Sequence, residues 1–397
     1  MKFLNRISGV LVVLFLCQWL ITPLGSAEVS KKSASNKAPS ISAESAALID
    51  VQSGRILYAK AGDKKMRIAS LTKTMTAIVA IESGKLNDVI TIPGEAVGVE
   101  GSSIYLKKGE RLTLEELLYG LMLRSGNDSA VAIANHIGGS VPGFVYLMNE
   151  KAAMIGMTHT NFNNPHGLDD SNMHYSTASD MAKLSAYALR NPTFKKIVST
   201  KVKNISWEGN EWDRKLQNKN KLLYLYKGAD GVKTGYTKLA KRCLASSATR
   251  DGRQLAVITL NAPNDWNDSM ELMDWGFQQF HTVTIVSKGE AIEWNKETQQ
   301  PENLDNKLSF VSQSEFQYPL REDEVRQVTS KVQLLSSKVD KSMIGQHVGY
   351  VQFFLDKQLI GKVPLTVQET KQTQAGHHPR SFWELVYQLM LGGLIDA

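Results

Sequence analysis

The sequence predicts an α/β fold, a sandwich of antiparallel sheet and helices, followed by a small all-β C-terminal domain. Three observations predict it. Residues 43–285 begin and end in strand hairpins and carry a helical stretch between them, so the hairpins can join into one sheet with the helices as an insert. After about residue 285 the pattern changes to short apolar strands broken by turns. The chain has 397 residues, 42% hydrophobic and 21% charged, a globular balance in a length sufficient for two domains.

The elements follow in order. Residues 1–27 have the layout of a signal peptide: Lys2 and Arg6, an apolar run from Ile7 to Leu24, and small residues Gly25-Ser26-Ala27 at the expected cleavage site. Cys17 lies in that apolar run without the small preceding residues of a lipidation site, so it is expected to leave with the signal. Residues 28–42 form a linker, Lys- and Ser-rich from Ser30 to Ala43. Ser45 to Lys60 alternates apolar runs around Ser53-Gly54 and reads as a hairpin. Ser70 to Gly84 carries Leu71, Met75, Ile78 and Ile81 at helical spacing and ends in glycine, which predicts a buried helix opened by Ser70.

Thr113-Leu114-Glu115-Glu116 is a capping box that starts a helix through Leu123 and delivers Ser125 to the following loop. Further helices are predicted over Asp128 to Ile137, Pro142 to Ile155 and Thr177 to Leu189. A turn at Gly228-Ala229-Asp230-Gly231 precedes an edge strand through Lys233, and Asp251-Gly252 joins strands over Ala240 to Thr249 and Gln254 to Leu260. In the β domain, assigned to residues 286–376, strands are predicted over Thr284 to Val286, Val348 to Leu355 and Leu359 to Val367. The final segment, 377–397, is apolar apart from a stripe through Glu384 and Gln388, too short for a confident span. With Trp383 and Tyr387 it reads as an amphipathic helix lying in the outer leaflet of a membrane.

Three motifs carry chemistry. Ser70-Leu71-Thr72-Lys73 is the one Ser-x-x-Lys in the sequence, Ser125-Gly126-Asn127 the one Ser-x-Asn, and Lys233-Thr234-Gly235 the one Lys-Thr-Gly. Residues i and i+3 share a helix face, so the Lys73 amine can reach the Ser70 hydroxyl. Serine needs a base to become a nucleophile, and lysine serves only if its pKa falls toward neutrality, which burial and a second cation both promote. That assigns Ser70 as nucleophile, Lys73 as base, Lys233 as electrostatic partner and Ser125 as proton relay to the leaving group. Asn127 offers acceptor and donors, enough to hold Lys73 and a substrate amide together. An edge strand can pair with an extended peptide. Gly235 permits close approach, the Tyr236 and Ser70 N–H groups are the expected oxyanion donors, and the Thr234 hydroxyl is expected to bind a terminal carboxylate.

On these residues the chain resembles the low-molecular-mass penicillin-binding proteins, D-alanyl-D-alanine carboxypeptidases of the serine DD-peptidase family. The resemblance extends to Leu48 through Tyr58, Asn164-Pro165-His166-Gly167-Leu168, Cys243 through Thr249, and Trp275-Gly276-Phe277, and is strongest over residues 43–285. It implies a sandwich of the serine β-lactamase and DD-peptidase type. The implied activity is removal of the terminal D-Ala from peptidoglycan stem peptides through a Ser70 acyl-enzyme, with β-lactams as acylating inhibitors and no cofactor or metal. The β domain would be a spacer from the membrane. One departure stands out: relatives place a carboxylate-binding arginine shortly after the strand that follows Lys-Thr-Gly, whereas Asn261 to Asp268 contains none.

Other readings are narrowed by the sequence. No Glu-x-x-Leu-Asn stretch lies between Asn127 and Lys233, against a class A β-lactamase. Endopeptidase and transpeptidase activities differ only in what meets the acyl-enzyme and stay open. A penicillin sensor would use the same site but lacks an N-terminal membrane bundle here. The net charge of +7 is spread over many lysines rather than a basic run with aromatics, so nucleic acid is not an expected partner. Past the signal only Cys243 remains, so no internal disulfide forms, and in an apolar strand it reads as a buried structural thiol. The eight histidines show no metal spacing, and His166 and His174 read as structural hydrogen bonders. The expected location is the outer face of the cytoplasmic membrane or the cell wall. Ala262 to Trp266 and Ala240 to Cys243 also resemble carboxypeptidases of spore-forming bacteria, which implies a role in the spore cortex.

Overall fold

The computed structural model describes residues 37–370 apart from 208, 293–307 and 337, so the signal-like segment and the segment 377–397 lie outside the described residues. Strands β1 (Ser45–Asp50) and β2 (Ile56–Lys60) form the first hairpin, and the chain then leaves the sheet through helix α1 (Lys73–Glu82). A small hairpin, β3 (Val89–Thr91) and β4 (Arg111–Thr113), precedes α2 (Leu114–Leu123), α3 (Asn127–Gly138), α4 (Val141–Ile155), α5 (Ala178–Leu189) and α6 (Pro192–Ser199). A second small hairpin, β5 (Val202–Ile205) and β6 (Arg214–Gln217), and the short α7 (Leu222–Leu225) complete the insert. The chain returns through β7 (Ala229–Thr237), β8 (Lys241–Arg250) and β9 (Arg253–Leu260), then ends this region in α8 (Asp265–Gln279).

The five strands form one antiparallel sheet in the order β2-β1-β9-β8-β7, so the first and last hairpins do join and β7 is left at an edge. Every residue of β1 is buried, because helices cover both faces of the sheet. Side chains alternate between those faces. Ala47 and Ile49 join Cys243, Ala256 and Ile258 in the core shared with α1, α2 and α5, while Leu48 joins Leu244, Val257, Leu272 and Met273 under α8. Gly276 lets α8 settle on the sheet, since an added Cβ would lie 2.6 Å from Leu48 Cδ2.

Local signals explain the boundaries. The Thr113 side chain accepts the Glu116 N–H at 3.2 Å and Glu116 Oε2 accepts the Thr113 N–H at 2.9 Å, the reciprocal capping box read from the sequence. Asp251 and Gly252 both adopt positive φ (49° and 77°), which a tight hairpin of matching twist requires. The sequence reading did not identify α6, α8 or the β5–β6 hairpin.

Beyond α8, strands β10 (His281–Val286), β11 (Leu308–Ser312), β12 (Phe316–Leu320), β13 (Thr329–Leu334), β14 (His347–Leu355) and β15 (Gln358–Glu369) make an all-β unit with a single short helix, α9 (Glu322–Val325). A four-stranded sheet in the order β11-β15-β14-β13 lies with the β10–β12 pair over a core that includes Phe310, Val351, Val363 and Leu365. Arg55 of the first hairpin fixes this unit to the sheet. Its guanidinium donates to both Glu324 oxygens at 2.9 and 2.6 Å and to the Pro319 carbonyl, and lies 5.3 Å from the rings of both Phe280 and Tyr318. With side chains only 14% and 9% exposed, the pair is shielded enough for its loss to be felt.

Candidate active site

Ser70 lies in a 3₁₀ turn, Ala69–Thr72, immediately before α1, and therefore one turn earlier than the α-helix it was expected to open. Two local bonds favour the tighter turn: Leu71 N donates to Ile68 O at 3.1 Å, and Thr72 Oγ1 to Ala69 O at 2.9 Å. Ala69 adopts φ 48°, a left-handed conformation that costs a non-glycine residue about 1–2 kcal/mol. Such strain is held where the surroundings over-determine it. Here His174 Nε2 meets Thr72 Oγ1 at 2.8 Å, and Gly167 lies against the Ala69 carbonyl, where an added Cβ would come within 1.9 Å.

Lys73 Nζ is fully buried and has three neighbours from three separate segments: Asn127 Oδ1 at 2.6 Å, the His166 carbonyl at 2.7 Å and Ser70 Oγ at 3.1 Å. Burial above all, with the Lys233 and Lys219 charges next, holds the amine well below its ordinary value against a smaller opposing pull from Asp128. A neutral amine has two N–H donors and one lone pair. The two carbonyl oxygens accept the donors, which leaves the lone pair for the Ser70 hydroxyl.

Ser125 and Asn127 follow α2. Ser125 is buried at φ 66°, and the tight path continues through Gly126, where a Cβ would stand 2.7 Å from Asp128 Oδ1. Asp128 accepts the N–H groups of Ile104 and Leu106 and the Ser103 hydroxyl, which shapes the loop beside the motif. Asn127 N donates to Ser102 O at 2.7 Å, and its Nδ2 donates to the Glu100 carbonyl. Asn127 thus holds Lys73 through its oxygen, while one of its amide donors serves the loop rather than a substrate.

Lys233 and Gly235 face the Ser70 turn from β7. They pair with Ala245 and Cys243 of β8, whose side chains belong to the core on that face. Gly235 packs so closely that a Cβ would lie 3.2 Å from Ser70 N, which ties the third motif directly to the first. Lys233 is 1% exposed and its Nζ donates to the Thr234 carbonyl at 2.8 Å. Burial first and Lys219 second bring its amine down from 10.5 to about 7. Thr234 is half-buried and Tyr236 exposed at the sheet edge. Asn220 Nδ2 holds the Gly231 carbonyl at 2.8 Å, and Asp230 accepts from Ser247, Thr249 and Gln254, so the strand carrying the motif is tied at its start.

The structure therefore brings the Ser70, Lys73, Asn127 and Lys233-Thr234-Gly235 segments together. Among the described residues no hydrogen bond joins Ser125 Oγ to either lysine. The His166 carbonyl was missed as a Lys73 partner, although its segment stood out in the sequence. A backbone acceptor leaves no side-chain signal. The histidine rings stay neutral: burial chiefly takes His166 down to about 3 and His174 to about 4. Cys243 is buried and its thiol is pushed up to about 12, chiefly by burial, an unreactive state.

A family model described as D-alanyl-D-alanine carboxypeptidase matches residues 31–264, and one described as penicillin-binding protein 5, C-terminal domain, matches residues 280–373. D-alanyl-D-alanine carboxypeptidase DacA of Haemophilus influenzae is 31% identical over 83% of this chain and 85% of its own length. DacF of Bacillus subtilis is 35% identical over 63% of this chain and 66% of its own. Among solved structures, penicillin-binding protein 5 of H. influenzae superposes with a TM-score of 0.68 at 31% identity, covering 84% of this chain and 98% of that one. A Streptomyces K15 DD-transpeptidase mutant superposes at 0.57 and 33% identity over 60% and 99%.

Proposed function

The chain belongs to the D-alanyl-D-alanine carboxypeptidase family of serine peptidases, a penicillin-binding enzyme acting on D-Ala-D-Ala peptides of peptidoglycan, and from that premise we propose how its residues divide the work. The observation that carries the assignment is the Lys73 amine, depressed in pKa and 3.1 Å from Ser70 Oγ with its other donors taken by carbonyl oxygens. Lys73 Nζ accepts the Ser70 proton as Oγ attacks the carbonyl carbon of the penultimate D-Ala. The Ser70 and Tyr236 N–H groups hold the developing oxyanion. As the peptide C–N bond breaks, Ser125 passes a proton to the departing D-Ala amine and takes back the one held by Lys73, with Lys233 supplying positive potential beside it. Water then cleaves the Ser70 ester, and a β-lactam that acylates Ser70 occupies the same position.

Asn127 orients Lys73, and Thr234 receives the substrate's terminal carboxylate. Residues 43–285 act as the catalytic domain and 286–376 as a spacer, after a linker at 28–42. Export by residues 1–27 and attachment through 377–397 would put the site at the outer face of the membrane. The likeness to a DD-transpeptidase favours a second reading, in which an amine rather than water takes the acyl group. The resemblance of Ala262 to Trp266 and Ala240 to Cys243 to carboxypeptidases of spore-forming bacteria motivates a sporulation role, tested by cortex cross-linking in a deletion strain. The deciding experiment is D-Ala release from a peptide ending in D-Ala-D-Ala, with Ser70→Ala as control. Release independent of Ser70 sinks the mechanism, and Ser70 acylation by penicillin without release favours the transpeptidase.

A further inference from the structure

The cations around the site outnumber the anions that face them. Lys73, Lys233, Lys219 and Arg124 converge there, and none of them is within ion-pair distance of a carboxylate among the described residues. The nearby Asp128 is occupied by backbone and hydroxyl donors of its own loop. Uncompensated positive charge gathered around a site favours an anionic ligand. The substrate of the proposed reaction carries one at its leaving end, the carboxylate of the terminal D-Ala. No arginine stands between Asn261 and Asp268 to receive it.

Other nearby arginines are committed. Arg242, opposite Tyr236 on β8, donates to Asp265 Oδ1 at 2.6 Å. Arg67, beside the nucleophile turn, is held by Asp169, Asn172 and the Ser171 carbonyl. Lys73 is buried with its donors taken by protein carbonyls, and Lys233 is buried with one bond, to the Thr234 carbonyl. Lys219 differs: it is solvent-exposed, and its Nζ makes one bond, to Ser102 Oγ at 2.9 Å. Its backbone is fixed around the site. Lys219 N donates to Leu123 O, two residues before Ser125, and the next residue, Asn220, holds Gly231 at the start of the Lys233 strand. Ser102 in turn accepts the Asn127 N–H.

We propose that Lys219, positioned between the Ser125 and Lys233 segments, supplies the cation that recognises the substrate's terminal carboxylate together with Thr234. An ammonium with three donors and one protein partner has two left for carboxylate oxygens. The inference rests on the carboxypeptidase reading and adds a specificity residue to it.

The test compares kcat/KM for a peptide ending in D-Ala-D-Ala with that for its C-terminal carboxamide, in the parent protein, Lys219→Gln and Lys219→Arg. Loss of one charged contact predicts a roughly 10- to 100-fold fall on the acid in Lys219→Gln. The carboxamide should change little, so the acid preference collapses, and Lys219→Arg should restore most of it. Parallel losses on both substrates, or a shifted pH profile with the preference intact, would mean that Lys219 acts on Lys73 or on the fold, and would overturn the proposal. Should the parent release no D-Ala, the carboxypeptidase reading fails separately. Acylation rates with a penicillin and its methyl ester then make the same comparison, and an unchanged ratio in Lys219→Gln overturns the inference.

Discussion

Replacing Lys233 by methionine is expected to stabilise the protein at neutral pH while removing its activity. The side chain is 1% exposed, its amine falls from 10.5 to about 7, and burial is the main cause. In the unfolded chain the same amine titrates near its ordinary value. Between about pH 7 and 10.5 the unfolded state therefore binds the extra proton. Stability contributed by this group rises with pH across that window, and the penalty is largest at and below its lower end. At roughly 1.4 kcal/mol per pH unit, the cost at pH 7 is on the order of 5 kcal/mol. Methionine keeps most of the volume without the charge but abandons the bond to the Thr234 carbonyl, a loss of about 1–3 kcal/mol. The net gain of about 2–4 kcal/mol corresponds to roughly 4–16 °C in Tm for a region of this size. Calorimetry at pH 7 and pH 10 reads both the gain and its pH dependence, since the advantage of Lys233→Met must narrow as the parent recovers stability. A methionine variant less stable than the parent at pH 7, or a difference unmoved by pH, would refute the argument that burial of this amine is a net cost.

Ser125→Ala should lower kcat for D-Ala release by about 100- to 10,000-fold with little change in thermal unfolding, as expected of a proton-relay group; comparable losses of Tm and activity would assign Ser125 to the fold instead. Arg55→Ala leaves the Glu324 carboxylate without its bidentate partner and should cost about 3–5 kcal/mol, read as an earlier melting transition for the β unit and faster proteolysis there. An unchanged melting profile would show that the rings of Phe280 and Tyr318 hold the contact without the ion pair. Removing residues 377–397 should move the protein from membrane to soluble fractions with D-Ala release intact, and retention in the membrane would rule out that segment as the anchor.

What could be read from the sequence was local. The capping box at Thr113, the Asp251-Gly252 turn and the i, i+3 spacing of Ser70 and Lys73 each draw on neighbours a few residues apart, so their geometry follows from their spacing. The five-stranded sheet was accessible for a related reason, because strands at both ends of the catalytic region are apolar on both faces. Helix α8 escaped notice because only a narrow face is buried, around Ser269, Leu272, Met273 and Gly276, and its acidic and polar positions break the periodicity. Lys219 escaped for a different reason. Nothing in the run Asn218-Lys219-Asn220 signals that Ser102, far away in sequence, stands beside its amine.

The same distinction bears on when the enzyme is active. Ser70 and Lys73 are neighbours in any helical conformation of their segment, yet proximity alone leaves Lys73 protonated, because an exposed lysine keeps its ordinary pKa near 10.4. What lowers that value is burial under the assembled fold, then the Lys233 charge on β7 and the Lys219 charge, while Asn127 and His166 from two other segments hold the amine in its buried position. A chain in which the His166 loop or the α3 start has come away would wet the amine, restore its proton and leave Ser70 without a base. On the proposed roles, a reactive Ser70 is a property of the closed core rather than of the Ser-x-x-Lys helix. Small destabilisations at Asn127, Gly167 or Thr72 should accordingly reduce acylation in proportion to the local opening they cause, well before the whole protein unfolds.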